Sequence, residues 1–516
     1  MALNPPDRRA ALALIACAVV LRLAYAGSVE LLPEEAYYWN YSRHLDYGYL
    51  DHPPMVAWLI RLGTALFGQS QFGVRAGALC CGIVTSIFAY RLTRNLAGEA
   101  SALAALLLAQ VLPFFFLSGL LMTPDAPLTA AWAAALYYLE RALTGGCARA
   151  WWRLSLALGA GALSKYSIGL LVPVTAAFML WDAPSRRWWR RLEPYGAALL
   201  AVAVFSPVIL WNAQHDWASF AFQTSRRLAE SPKFALHTLI AAALVLITPT
   251  GVLAAAAAFQ SAAAAVPAAD DAVRGRRLIR LALLLPLAAF AFFSLRHEVK
   301  LDWAGAPLTA ALPLMAAGMC ADGARGERAP RGERGLIRAA WTPTLVIVLL
   351  MLGAGLAYLT LGLPGVGYGK HIELLPVGWR ELGRQIASTA QESGARPLIV
   401  GMDRYAIASE IAFYGAQGSQ TAVETSSGNL FGGIGLMYER WTPAALEEGR
   451  TLLLVGWDPG QLAARDVEAH VERLGPVQRG DLTRGAKLVG RYYFRLAYNY
   501  HALPVKMPAI PMKELR

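Results

Sequence analysis

Cysteine and histidine are scarce, with five and eight residues in a chain of 516. Cys17, Cys80, Cys81, Cys147 and Cys320 lie in or beside apolar runs, or among the basic loops. Their spacing offers neither a disulfide framework nor a zinc site. There is no His-rich tract and no Asp-x-Asp pattern, so the reading requires no cofactor; a divalent metal is allowed but not indicated. Charged residues amount to only 16%. The net charge of +12 could suggest nucleic acid, but the basic residues fall between apolar runs rather than along one polar face.

What the chain has in excess is apolar sequence, 56% of residues, with a mean hydropathy of +0.40. That exceeds what a soluble core of this size needs and identifies an integral membrane protein. A helix needs about 20 apolar residues to cross the hydrocarbon. Eleven windows are expected to do so: 10–29, 74–95, 99–121, 126–143, 152–164, 166–181, 192–211, 236–257, 278–295, 303–321 and 340–362. The fifth and sixth are short, so that pair is either two spans, one broken span or a re-entrant hairpin. The first window lacks a small-residue cleavage site and is expected to be an anchor rather than a signal peptide.

Lys and Arg in short loops set the orientation. Arg8 and Arg9, Arg91 and Arg94, Arg141, Arg149 and Arg153, "SRRWWRR" at 185–191, "RGRRLIR" at 274–280 and "RGERAPRGERGLIR" at 325–338 fall on one side if the windows are right. That side is expected to be the cytoplasm of a bacterial inner membrane. Residues 30–73, 122–125, 212–235 and 296–302 then face the periplasm, with the tail from about 363. Residues 1–362 form the expected transmembrane domain, including the first outer loop 30–73. Residues 363–516 form an extracytoplasmic α/β domain, with strands at "PLIVG", "TLLLVGW" and "KLVGRYYFRL" and helices at 378–392, 403–414 and 459–473. The Gly-rich "SSGNLFGGIG" at 426–435 lacks the Lys-Ser/Thr of a phosphate loop and reads as an ordinary loop.

Ionisable residues at a membrane edge are costly and tend to mark function. The first outer segment carries Glu34 and Glu35 directly after the first span, then Tyr37, Tyr38 and Tyr41, then Tyr49, Asp51, His52, Pro53 and Pro54. An interfacial loop with a tyrosine belt is the alternative for this stretch. The second segment is "LMTPDAPLT", where Asp125 is either functional or the cap of the next helix. The third supplies His215, Asp216, Arg226, Arg227 and Lys233. The fourth, "RHEVKLDW", supplies Arg296, His297, Glu298, Lys300 and Asp302. Outer cations run against the positive-inside rule; a bound phosphate would account for them. Carboxylates for a general base and cations for a departing phosphate are the two needs of transfer from a lipid-linked phosphate.

The membrane part, roughly residues 10–360, resembles the multispanning glycosyltransferases of the GT-C type that use polyprenyl-phosphate sugars. That family includes the bacterial aminoarabinose transferase acting on lipid A and the protein O-mannosyltransferases. Its members carry an Asp-Glu pair after the first span, a following Tyr, and an aromatic-x-Glu-Lys-Pro-Pro segment. Here these stand as Glu34-Glu35, Tyr38, and Tyr49-Leu50-Asp51-His52-Pro53-Pro54. "TPDAP" at 123–127 is similar to the second acidic motif, and "SKYSIGLL" from 164, with Lys165, to the "TKG" type stretch. Three residues depart from the pattern: Glu34 replaces Asp, His52 replaces Lys, and Asp51 replaces Glu.

The resemblance implies a polytopic α-helical GT-C-like fold and inverting transfer from a polyprenyl-phosphate donor. The implied acceptor is a lipid or lipopolysaccharide, such as lipid A or its core, or another extracytoplasmic molecule; protein O-glycosylation is an alternative. It makes Glu34 the base or the acceptor-orienting carboxylate, with Glu35 and Asp125 as supporting carboxylates. Tyr38 and Tyr49 line the sugar site, Asp51 and Lys165 belong to the motifs, and His52, His215, Arg226, Arg227 and Lys300 are candidates for donor binding. The tyrosine-rich loop is the natural lid. A transporter of lipid-linked sugars would place ionisable groups at mid-membrane and show an internal repeat, neither of which is evident. A scaffold would leave the acidic pair without a purpose.

Overall fold

The computed structural model describes residues 8–224, 232–261, 271–298, 300–320, 331–363, 367–368, 375–417, 423–484 and 487–502. The chain divides into two compact units, Met1–Ser28 with Leu45–Leu356 and Val29–His44 with Ala357–Arg516.

The first eleven α-helices are α1 (Arg8–Ser28), α2 (Pro33–Arg43), α3 (Met55–Phe67), α4 (Gln71–Ala97), α5 (Glu99–Val111), α6 (Pro113–Ser118), α7 (Asp125–Leu143), α8 (Arg149–Ala162), α9 (Leu171–Trp181), α10 (Glu193–Gln214) and α11 (Ala218–Gln223). All but α2 belong to the first unit. Further helices of that unit run over Leu236–Leu246, Pro249–Ser261, Asp271–Ser294 and Ala311–Cys320, and the helix Arg331–Leu361 belongs to it as far as Leu356. Among the described residues, five helices are long and apolar enough to cross a membrane: α1, α4, α10, Asp271–Ser294 and Ala339–Leu361. Two bent pairs, Tyr166–Trp181 with Ala183–Arg190 and Leu236–Leu246 with Pro249–Ala256, raise the number to seven. The expected count of eleven is not confirmed by this measure, in which windows such as 99–121 resolve into shorter pieces. Pro113, lacking an amide hydrogen, separates α5 from α6.

The core of this unit gathers around α7, whose Ala126, Ala130, Ala131, Ala133, Ala134 and Ala135 are all buried. Small side chains let neighbouring helices approach where no hydrophobic drive separates protein from lipid. At 1.5 Å per residue its 19 residues extend about 28 Å, close to the hydrocarbon thickness. Arg22, inside α1, is buried and compensated: its Nη1 donates to Gln110 Oε1 at 2.8 Å, and Gln110 Nε2 donates to Ser86 Oγ at 2.6 Å.

The second unit holds a six-stranded sheet of β1 (Leu398–Gly401), β2 (Thr425–Ser427), β3 (Leu452–Gly456), β4 (Val471–Leu474), β5 (Gln478–Arg484) and β6 (Lys487–Tyr500). The order is β2-β1-β3-β6-β4, with β5 also on β6. β2, β1 and β3 are parallel, while β6 runs antiparallel to β3, β4 and β5. β1 and β3 are continuously apolar and fully buried, as parallel strands covered on both faces are. The stretch 459–473, expected as one helix, instead makes two short helices, Pro459–Leu462 and Arg465–Ala469, and then enters β4.

One boundary differs from expectation. Residues 29–44, assigned from sequence to the loop 30–73 of the membrane domain, pack with the C-terminal unit. The cause is aromatic burial along α2. Trp39 meets Phe413 edge-on at 5.0 Å, Tyr37 lies 4.6 Å from Tyr405, and the OH of Tyr37 accepts from Met437 N at 3.1 Å. The tyrosines expected to form a mobile lid are core residues here: Tyr37, Tyr38 and Tyr41 are all buried.

Candidate active site

The strongest concentration of paired charge in the first unit is built from three turns. Asp125 is the first residue of α7, behind Pro124, and makes no capping bond to its own helix. Its carboxylate turns to Lys165, whose Nζ lies 2.9 Å from Oδ1 and 3.1 Å from Oδ2. Lys165 has extended backbone between α8 and the 3-10 turn Tyr166–Leu170. The same Nζ lies 2.9 Å from Asp302 Oδ2. Asp302 sits in the 3-10 turn Leu301–Ala304, which presses so closely on α6 that a Cβ at Gly305 would stand 1.9 Å from the Phe114 ring. Lys165 and Asp125 keep only 16% and 13% of their side-chain surface, against 42% for Asp302, so one carboxylate faces inward and the other opens outward.

All three groups stand at helix ends or in turns, outside the apolar spans. Burial pushes the Asp125 carboxyl up to about 6, with the neighbouring Asp302 adding to the rise and Lys165 opposing it. Burial also acts to raise Asp302, but Lys165 outweighs it and holds this carboxyl below the usual range. For Lys165, burial favours the neutral amine, and the two carboxylates overcome it and keep the ammonium charged. The site thus carries a permanent cation between two acids, of which Asp125 takes up a proton first.

The "YLDHPP" motif joins this cluster through the backbone. Met55 N, just after the Pro53-Pro54 turn, donates to Leu163 O at 3.0 Å, two residues upstream of Lys165. Asp51 is buried and its carbonyl accepts from Gln223 Nε2 at 2.5 Å; His52 is half-buried beside it. Tyr49 is buried, its OH accepting from Asp46 N at 3.1 Å, and burial raises its phenol pKa. Asp46 Oδ2 accepts from Trp211 Nε1 at 2.8 Å. His215 stacks on that indole at 4.1 Å, with Nδ1 2.7 Å from Trp211 O. Lys300 is exposed, just before the turn that holds Asp302.

The first unit therefore brings together Asp125, Lys165 and the 49–54 turn, with the 211–223 segment bonded to that turn. Glu34, Glu35 and Tyr38 belong to the second unit. Glu34 is exposed in the first turn of α2. Glu35 is fully buried and its Oε2 accepts from Leu32 N at 3.1 Å, closing the helix start. Tyr38 is buried against Tyr37 and Tyr41 at 5.6 and 5.5 Å. Arg226 and Arg227 lie outside the described residues. Asp302 was not among the sequence candidates. Its only signal was membership of a charged eight-residue segment, and its partner is 137 residues away. Among the described residues no group of three or more His, Cys, Asp or Glu is arranged to hold a metal ion.

Residues 51–211 match the family model described as "Dolichyl-phosphate-mannose-protein mannosyltransferase". That stretch contains Asp51, His52, Asp125, Lys165 and Trp211. An undecaprenyl phosphate-α-4-amino-4-deoxy-L-arabinose arabinosyl transferase of Pseudomonas paraeruginosa is 34% identical over 174 residues, covering 32% of this chain and 31% of that protein. The lipid A galacturonosyltransferase RgtD of Rhizobium johnstonii is 28% identical over 193 residues, 37% of this chain and 40% of that one. The match thus spans about a third of the length of these curated relatives. Over nearly the whole chain the fold is that of ArnT from Cupriavidus metallidurans. The structure bound to undecaprenyl phosphate superposes with a TM-score of 0.61 at 15% identity, covering 95% of this chain and 98% of that one. The apo form gives 0.60 at 16% identity. The chain is a multi-pass membrane protein with the GT-C fold and a C-terminal sheet domain.

Proposed function

We propose that the chain is a membrane glycosyltransferase that takes a sugar from a polyprenyl-phosphate donor and passes it to lipid A or a related lipopolysaccharide acceptor. The observation that carries this reading is Lys165, held charged between Asp125 and Asp302 next to the Pro53-Pro54 turn. Transfer needs a preorganised cation where negative charge develops on the leaving phosphate, and a cation already paired and oriented costs no reorganisation when the bond breaks. The acceptor oxygen attacks the anomeric carbon, the bond from that carbon to the phosphate oxygen breaks, and polyprenyl phosphate leaves with the electron pair. In-line displacement inverts the anomeric centre.

By the resemblance of its acidic pair, Glu34 takes the acceptor proton. Lys165 stabilises the leaving phosphate, His52 donates to it, and Arg226, Arg227, His215 and Lys300 are further candidates for donor binding. Tyr49 and Asp51 shape the sugar side. No metal is required, because the chain's own cations supply the charge. The basic loops favour an inner-membrane protein with the site on the periplasmic side.

The test is turnover of a polyprenyl-phosphate sugar by the purified full chain in the presence of lipid A. The expected result is polyprenyl phosphate and glycosylated lipid A, with Glu34→Gln folded but inactive. Passage of intact donor across liposomes without product would instead assign a transporter, and full transfer by Glu34→Gln would remove Glu34 as the base.

A further inference from the structure

The far end of α7 carries a second concentration of charge that the proposed reaction does not use. Here α9 ends and the chain turns through 112° into the 3-10 segment Ala183–Arg190. A buried ion pair pins this corner: Arg274 Nη2 lies 2.6 Å from Asp182 Oδ2 and 2.9 Å from Leu143 O, and Ser185 Oγ donates to the same Asp182 oxygen at 2.6 Å. Trp188 is buried against Trp151 at 5.5 Å and acts as the keel of the segment. Trp189, Arg190 and Leu192 are exposed around it.

Two guanidinium groups converge on the neighbouring turn. Gly146 has φ of +65°, and a Cβ there would stand 2.6 Å from Arg187 Nη2. A Cβ on Gly145 would stand 3.2 Å from Arg141 Nη1. The turn thus leaves room for both cations to lie over bare backbone. Asp182 is consumed by Arg274, and Glu193 by Arg191, whose Nε donates to it at 3.1 Å. Arg141, Arg187 and Arg190 make no ion pair among the described residues. Three arginines with no carboxylate in ion-pair contact among the described residues, only Arg141 feeling the nearby Glu140, stand beside the exposed Trp189 on the face with the basic loops and complement an anion at the depth of lipid headgroups.

We propose that this corner binds the headgroup phosphate of an anionic phospholipid in the leaflet on the basic side. Arg141 and Arg187 bracket the phosphate above the Gly145-Gly146 turn, Arg190 flanks it, and Trp189 lies at the interface. The site is independent of the transfer reaction and stands about 27 Å along α7 from Asp125.

The test uses the detergent-solubilised full chain with added cardiolipin, phosphatidylglycerol, phosphatidylcholine or inorganic phosphate, read by retained lipid in native mass spectrometry and by the rise in Tm. Wild type should retain the anionic lipids over phosphatidylcholine, and Arg141→Gln/Arg187→Gln should weaken that retention about thirtyfold, ~2 kcal/mol for two headgroup contacts. Arg149→Gln/Arg153→Gln, on the same basic side but outside the turn, should keep it. If the first double variant does not fold, Arg190→Gln with Trp189→Ala takes its place, with loss of retention again expected. Equal retention after the substitutions, equal loss in the Arg149/Arg153 control, or the same Tm rise with inorganic phosphate alone would each overturn the lipid site.

Discussion

Nζ of Lys165 lies 2.9 Å from Oδ1 of Asp125, and both side chains are largely withdrawn from solvent. A buried pair of this kind gives up hydration on both partners and returns it as mutual attraction, so removing one partner exposes the full cost of the other. Asp125→Ala and Lys165→Met are each expected to destabilise the fold by about 3 kcal/mol, and the double variant by clearly less than the sum. Thermal unfolding of the three purified variants measures this. Additive losses would mean that the pair is not coupled.

Asp302 supplies the outward half of the arrangement and raises the proton affinity of Asp125. If transfer needs ionised Asp125, the rate rises with pH through about 6, the value to which burial pushes that carboxyl. Asp302→Asn removes a negative neighbour, so the acid limb of the profile should move to lower pH. A limb that stays in place in this variant would detach the titration from Asp125.

Trp211 and Asp46 tie α10 to the segment that carries Tyr49 and the Pro53-Pro54 turn. Trp211→Phe keeps most of the ring volume but leaves Asp46 Oδ2 without its indole donor. A loss of about 2 kcal/mol is expected, the scale of a hydrogen bond to a charged group. Comparing Tm in wild type and variant checks it, and Asp46→Asn, which still accepts the bond, should lose less.

In the second unit, burial pushes the Asp403 carboxyl up to about 6, although Ile407 N donates to it at 3.1 Å. A carboxyl raised above its unfolded value of about 3.9 binds a proton in the folded state first, so its contribution to stability falls as pH rises from about 4 to about 6. Asp403→Asn keeps an acceptor for Ile407 and removes that dependence. Tm at pH 7 relative to Tm at pH 4.5 should therefore be higher in the variant than in wild type, and an unchanged difference would contradict the burial account.

The long spans were legible because α1, α4, α10, Asp271–Ser294 and Ala339–Leu361 each hold a strongly apolar stretch of 18 residues with at most two charged side chains. Met55–Phe67 was not read as a helix; it is short, and Arg61 interrupts its apolar pattern. β1, β3 and β6 were visible as apolar or aromatic runs, whereas β2 has three residues and β5 is mostly polar, with only Leu482 buried. Asp125, Lys165 and the 49–54 turn were found through motifs. The partnership of Lys165 with Asp302 could not be, because nothing in either local sequence records a contact across 137 positions. The assignment of α2 to the second unit was hidden for the same reason: its tyrosines read equally well as a membrane-edge belt until their partners Tyr405, Phe413 and Met437 are known.

In the proposed reaction Lys165 carries the charge of the departing phosphate. The most direct measurement is kcat/KM for a polyprenyl-phosphate sugar with lipid A as acceptor, in wild type, Lys165→Gln and Lys165→Arg. Loss of one preorganised donor to a developing anion is worth about a hundredfold or more. The prediction is a drop of that size in folded Lys165→Gln, expressed mainly in kcat and partly recovered in Lys165→Arg. Wild-type turnover in Lys165→Gln would contradict the account.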